Sequence, residues 1–361
     1  MLFALHPGIA DSAVFVGLNA FLLEWLRAQA THTAIDESHL PAGLCRAILE
    51  NQETARLLSA LADAVDALSA EQRERVRVVA HEARSMRYVF GDLARAAPSV
   101  PEGLNAALKT LGARLYAQAS KLVGVTQSCG ESIMNHYIRY TVNPPAGNGN
   151  VCGVCGTDYL AQRRANVADA TQWRSPYDHL LARNLYPLFS VHPENLLPTC
   201  RTCNEKAKLA KDLLRDAGGQ RRACFDPWSE SAERRTEMTV SLGDTAPILH
   251  LRMVGSSPAE QGKLDTWDDV YRIKERVEGE FTSLFEKIAE DIELTDLAAF
   301  RASLRTRVDA KYRTRHLTAY SFWRSRMFAA VLELPDEELE QLRALCAEAI
   351  ESISSANAFG I

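Results

Sequence analysis

Residues 177–206 read YDHLLARNLYPLFSVHPENLLPTCRTCNEK, and residues 152–155 read CGVC. Between them they hold two Cys-x-x-Cys pairs, 44 residues apart. A tetrahedral Zn²⁺ takes four thiolates, and each Cys-x-x-Cys knuckle aims two of them at one point. Cys152, Cys155, Cys200 and Cys203 are therefore expected to bind a structural zinc ion. Four sulfurs close the shell and leave no position for water or substrate. Any chemistry must then come from residues between the pairs. A redox reading of Cys-x-x-Cys needs a thioredoxin-like strand-helix context, which the flanks do not offer.

The rest of the chain frames this module. At 361 residues, two or three domains are expected. A 47% hydrophobic and 24% charged composition is that of a globular protein. No run of about 18 apolar residues is present, so no membrane span is expected. The start, MLFALHPGIADSAVFVGL, lacks a basic front region and is interrupted by Pro7 and Asp11, so it does not read as a signal peptide. Cys45, Cys129, Cys224 and Cys346 stand singly and read as inert thiols in a reducing cytoplasm.

Net charge is −5, and it is unevenly spread. Residues 150–222 carry 11 Lys/Arg against 7 Asp/Glu, so the basic excess lies on the cysteine module. Residues 223–361 carry 17 against 25, yet residues 301–326 hold eight Lys/Arg against Asp309 alone. That stripe reads either as a phosphate-binding surface or as a solvated helix face.

Helical spacing of apolar residues fills residues 11–142, with Asp11 and Ser12 as caps for the first helix. Residues 71–96 continue the pattern, and Pro98 and Pro101 break it. NPPAGNGN, residues 143–150, is a linker. Residues 238–254 alternate as a hairpin, with Leu249, Leu251 and Met253 on one face and His250 and Arg252 on the other. Gly243-Asp244 and Pro247 mark its turn. Long helices are expected from about Asp265, over residues 267–292, 297–334 and from Pro335 onward. The expected organisation is a helical domain at 1–142, the linker, a cysteine module at 151–228, and a hairpin with a helical domain at 229–361.

Within the module, Asp178-His179 is followed by Arg183, Tyr186-Pro187, Asn195-Leu196, Pro198, Cys200, Cys203 and Asn204. This order resembles the HNH endonuclease family, in its zinc-ribbon ββα-metal form, over about residues 150–228. CFDPW, residues 224–228, looks like the strand that follows the helix in many relatives. The resemblance implies an α+β, mainly helical chain, with a ββα-metal core and structural zinc between N-terminal and C-terminal helical regions. It implies His179 as general base and Asp178 and Asn204 as ligands of a catalytic Mg²⁺ or Mn²⁺. Asn195 would hold the loop and orient the His179 ring. Such roles suit phosphodiester hydrolysis, which needs an activated water and positive charge near the developing oxyanion.

The chain departs from the pattern in places. Asn204 stands where many relatives carry a third histidine. Ala207 stands where relatives often carry lysine, with Lys206 and Lys208 beside it; both are expected at phosphates, as is Arg183. The stretch from Cys155 to Asp178 is long and holds Arg163, Arg164 and Trp173. His192 is a rival base with no family role.

The resulting expectation is a metal-dependent endonuclease cutting DNA in the cytoplasm. The layout resembles HNH effectors of bacterial anti-phage defence, which implies an ATPase or sensor subunit as partner, or a homo-oligomer. A non-catalytic zinc-ribbon adaptor and an RNA-cutting toxin are the alternatives. Only the first of these two dispenses with Asp178, His179 and Asn204.

Overall fold

The computed structural model describes the chain except residues 92, 120, 143–148, 169–170, 244–246, 283 and 359–361; the side chains of residues 123, 142, 285–286 and 351–358 are likewise not described. Most of the linker expected at 143–150, and Asp244 of the expected hairpin turn, lie outside the described residues. The chain is mainly helical, with two small two-stranded sheets. It divides into two units. One comprises Leu5–Gly147 with Leu160–Ser229, and the other Met1–Ala4, Asn148–Tyr159 and Glu230–Ile361.

The first unit is built on α1 (Ala13–Thr31), 13 of whose 19 residues are buried. An all-round apolar surface makes it a central helix. Against it pack α2 (Leu44–Leu49), α3 (Gln52–Asp66), α4 (Ala70–Glu82) and α7 (Val123–Cys129), and the unit also holds α5 (Tyr88–Gly91), α6 (Glu102–Gln118), which packs on α3, and α8 (Ile133–Val142). Ser12 holds the N-cap position of α1, but its hydroxyl makes no capping bond. Glu131 Oε2 accepts from Ala13 N–H instead, at 3.2 Å. Asn51 caps α3, and Ser69 with Gln72 forms a capping box on α4. The helix expected through residues 71–96 stops at Glu82. The backbone there is drawn into tertiary contact, with Met86 N–H donating to Glu194 Oε2 at 3.0 Å.

β1 (Tyr177–His179) pairs antiparallel with β2 (Leu196–Pro198), in the register Tyr177↔Pro198, Asp178↔Leu197 and His179↔Leu196. Thr202–Lys208 follows as a π-helical segment. Residues 224–228 form no strand; Asp226 instead turns the chain, accepting from Trp228 N–H at 3.1 Å and Ser229 Oγ at 2.6 Å.

In the second unit, β3 (Thr236–Leu242) pairs with β4 (Pro247–Met253) as a regular hairpin. Leu249, Leu251 and Met253 are buried and His250 and Arg252 exposed, as the alternation requires. The helices α9 (Pro258–Tyr271), α10 (Ile273–Glu280), α11 (Leu284–Ala289), α12 (Leu297–Arg313), α13 (Ser321–Leu332) and α14 (Asp336–Ala358) complete it. The two long helices expected at 267–292 and 297–334 are each broken. Arg272 and Tyr320 take left-handed backbone, with φ of 54° and 62°. Within the basic stripe at 301–326, four of the eight cations are paired with carboxylates among the described residues. Lys311 pairs with Asp291 at 2.8 Å, Arg315 with Glu233 at 2.6 Å, and Arg324 with Asp291 at 3.3 Å. Arg301 also pairs with Asp336. These four are packing contacts, while Arg305, Arg307 and Arg313 of the stripe stay exposed.

Candidate metal centre and active site

Cys152, Cys155, Cys200 and Cys203 are all buried, and their sulfurs lie within 4.8 Å of one another. Four thiols that close, with no other ligand type, suit a tetrahedral zinc ion. The first knuckle is held from outside its own sequence. Leu2 N–H donates to Val154 O at 3.1 Å and Phe3 N–H to Gly153 O at 3.0 Å. Trp267 Nε1 donates to Val154 O at 2.9 Å, and Trp323 Nε1 to Cys155 O at 2.8 Å. Gly156 closes the turn at φ 68°, and a Cβ there would lie 2.4 Å from Leu2. Donors also reach the sulfurs, with Thr157 Oγ1 at 3.2 Å from Cys155 Sγ and Cys203 N at 3.4 Å from Cys200 Sγ. Such donors orient the ligands. The single cysteines differ. Burial pushes the thiols of Cys45 and Cys129 up to about 11 and that of Cys346 up to about 12, which leaves them protonated and unreactive.

Asp178 and His179 share β1. Asp178 is 2% exposed, and its Oδ1 takes the Lys208 ammonium at 3.1 Å. Lys208 is itself 1% exposed and also donates to His179 O at 2.7 Å. The π-helical turn carries its side chain inward, whereas Lys206 in the same turn stays exposed. Lys208 is thus committed to Asp178 rather than offered to a phosphate.

The His179 imidazole is 9% exposed. Its Nε2 lies 2.9 Å from Ser190 O, and a carbonyl can only accept, so Nε2 carries the proton and Nδ1 the lone pair. Burial lowers its pKa to about 4, against the pull of the Ser190 carbonyl, with the Arg183 and Lys208 charges adding to the lowering. The ring is neutral at pH 7 and able to accept a proton. Asn195, fully buried, locks the segment that supplies Ser190. Its Oδ1 accepts from Leu181 N–H at 2.7 Å, and its Nδ2 donates to Leu181 O at 3.1 Å and Phe189 O at 2.9 Å. Asn195 thus fixes the backbone next to Ser190, whose carbonyl meets the His179 ring. Asn204 is half-buried, and its backbone N–H closes on Cys200 O at 3.1 Å.

Tyr116 of α6 was not legible as a site residue. Its ring packs edge-on against His179 at 4.4 Å between centroids, and its hydroxyl donates to Tyr177 O at 2.8 Å. Arg183 lies 5.6 Å from the Tyr116 ring centre. Only the helical spacing of α6 is visible in sequence, and nothing in that spacing points at a histidine 63 residues away. His192, the rival base, is buried against Phe189, and its Nδ1 accepts from Glu194 N–H at 3.2 Å, which commits it to the turn. Comparison of the chain with protein-family models, with curated proteins and with solved structures gives no match.

Proposed function

We propose that this chain is an endonuclease that hydrolyses phosphodiester bonds in DNA, with His179 as general base and a structural zinc framing the site. The observation that carries the reading is the state of His179. A neutral imidazole whose Nε2 proton is fixed on Ser190 O leaves Nδ1 as the proton acceptor, and Asn195 braces the supporting loop. Arg183 and the exposed Lys206 bring positive charge for phosphate oxygens.

A catalytic Mg²⁺ or Mn²⁺ would draw on the Asp178 carboxylate and the Asn204 amide oxygen. That donor set does not fit the ion as it stands, because the Lys208 ammonium sits on Asp178 Oδ1. Metal dependence is therefore a test of the reading and not a step within it. The role in anti-phage defence, with an ATPase or sensor partner, rests on the resemblance alone.

Plasmid DNA, single-stranded DNA and tRNA incubated with the purified chain, with and without Mg²⁺ or Mn²⁺, test the activity and separate a DNA-cutting enzyme from an RNA-cutting one. His179→Ala is expected to lower cleavage about 10²–10⁴-fold while zinc content and folding persist. A His179→Ala chain that cuts like the parent removes the proposed base. The second reading, a non-catalytic zinc-ribbon adaptor, is favoured by the buried Lys208–Asp178 pair, which looks like a finished structural contact. It is the conclusion if no substrate is cut.

A further inference from the structure

We propose that the loop Leu160–Ser175 presents Trp173 and Arg164 as a stacking platform for an unpaired nucleobase, so that the nucleic acid this chain engages carries a single-stranded segment. The choice of a nucleic acid rests on the phosphodiesterase reading above, and the platform itself rests on the following geometry.

Trp173 is 68% exposed, whereas Trp25, Trp228, Trp267 and Trp323 are buried. The Arg164 guanidinium lies 3.8 Å over its ring centre, covering one face and leaving the rest of the indole to solvent. The loop beneath is braced. Buried Gln172 accepts from Arg164 N–H at 2.9 Å and donates to Arg164 O at 2.9 Å and Val167 O at 2.8 Å. Ser175 Oγ accepts from Ala161 N–H at 2.8 Å, and Arg164 Nη2 donates to Thr171 O. Two polar side chains spent inside the loop hold an apolar ring outside it. That arrangement contributes nothing to a core, but it removes the ordering cost of binding.

The charges point to the same ligand. The loop carries Arg163, Arg164 and Arg174 against Asp169. Arg174 lies 5.4 Å from the ring centre of Tyr177, the first residue of β1, so guanidinium groups follow the chain from Trp173 to the strand of His179. The six steps of chain from Trp173 to His179 span no more than about 20 Å. A flat aromatic face offers a base its stacking surface, and the guanidinium groups meet the phosphates on either side. In an intact duplex the faces of the bases are already stacked on each other, so the platform selects unpaired nucleotides.

The test uses the full-length His179→Ala chain with its zinc retained and no other divalent ion added, so that nothing is cut. Because the other tryptophans are buried, quenching of intrinsic fluorescence reports on Trp173. Oligothymidylate is expected to quench it, and a duplex of equal length to leave it nearly unchanged. Binding of a dye-labelled oligothymidylate, read by anisotropy, is expected to weaken roughly 5- to 150-fold in Trp173→Ala and to recover largely in Trp173→Phe, which keeps a stacking face. Equal binding of single strand and duplex, or a Trp173→Ala chain that binds like its parent, overturns the platform. Cleavage is scored separately, on the parent chain. Binding as described with no cutting of any nucleic acid would sink the nuclease reading and leave the platform standing.

Discussion

Lys208→Met puts the buried ion pair to a quantitative test. Methionine is close to lysine in length and occupies much of the same space, so the cavity left behind is small. What changes is electrostatic. The Asp178 carboxylate, 2% exposed, loses the ammonium 3.1 Å away, and His179 O loses its donor at 2.7 Å. Removing one partner from a buried pair costs about 3–5 kcal/mol, because the other charge is stranded away from water. For a unit of this size that is a fall of roughly 6–20 °C in melting midpoint. Adding Asp178→Asn removes the stranded charge, so the double variant is expected to regain most of the loss. Scanning calorimetry at neutral pH reads both changes, with zinc measured in every variant so that metal loss is not mistaken for pair loss. If Lys208→Met melts with the parent, or if Asp178→Asn brings no recovery, the pair does not carry the stability assigned to it.

Three further outcomes are expected. Gly112→Ala in α6 would place a Cβ 2.5 Å from Ser190 Oγ and 2.7 Å from Ser190 Cβ, so the loop that holds His179 must shift; a loss of about 1–3 kcal/mol in a urea titration is expected despite the gain in helix propensity, while Gly103→Ala in the same helix, whose nearest contact is Leu68 at 3.8 Å, is tolerated. Cys203→Ser should reduce bound zinc, measured by elemental analysis, from one ion per chain to a small fraction, since the closed set of four sulfurs loses a member. His192 gives an acid sensitivity. Burial lowers its pKa to about 4, opposed by the carbonyls of Arg84 and Ala83. A folded pKa below the unfolded value near 6.5 means that the stability it contributes is present above pH 6.5 and is lost as pH falls towards 4, on the order of 3 kcal/mol in all. His192→Gln should flatten that part of the stability-pH curve, and an unchanged curve would acquit His192.

How far the sequence could be read follows from the range of the interactions involved. The β3–β4 hairpin was legible because alternation is a local signal, and Leu249, Leu251 and Met253 are buried just as the pattern requires. The cysteine cluster was legible because the two knuckles are local and zinc chemistry supplies the long-range pairing. The helix breaks after Glu82, at Arg272 and at Tyr320 were not, since neither proline nor glycine marks them. At Glu82 the helix ends beside a backbone N–H taken by Glu194, more than a hundred residues away. The fate of the basic stripe was equally hidden, because Asp291 and Glu233 reach it only through the fold. Spacing alone also misjudged Lys208. The resemblance places a lysine at Ala207, but in the π-helical turn both Ala207 and Lys208 are buried, and the Lys208 ammonium lies on Asp178.

The same long-range logic explains why the N-terminal helices belong with the candidate site. Leu180 N–H donates to Asn195 O and Thr199 N–H to Pro176 O, which fixes the alternation of the β1–β2 ladder. Tyr177 and His179 then fall at non-hydrogen-bonded positions, with their carbonyls turned away from β2. Carbonyls on a strand edge must be satisfied, or the edge invites pairing with another chain. Here two side chains seal it. Tyr116 of α6 donates to Tyr177 O from 61 residues upstream, and Lys208 donates to His179 O from 29 residues downstream. Both residues also touch what lies between those carbonyls or beside them: Lys208 holds Asp178, and the Tyr116 ring lies on His179. A three-residue strand has too little ladder to fix two side chains by itself. The seal on its edge fixes the Asp178-His179 pair, and half of that seal comes from a helix that the motif, read alone, leaves out.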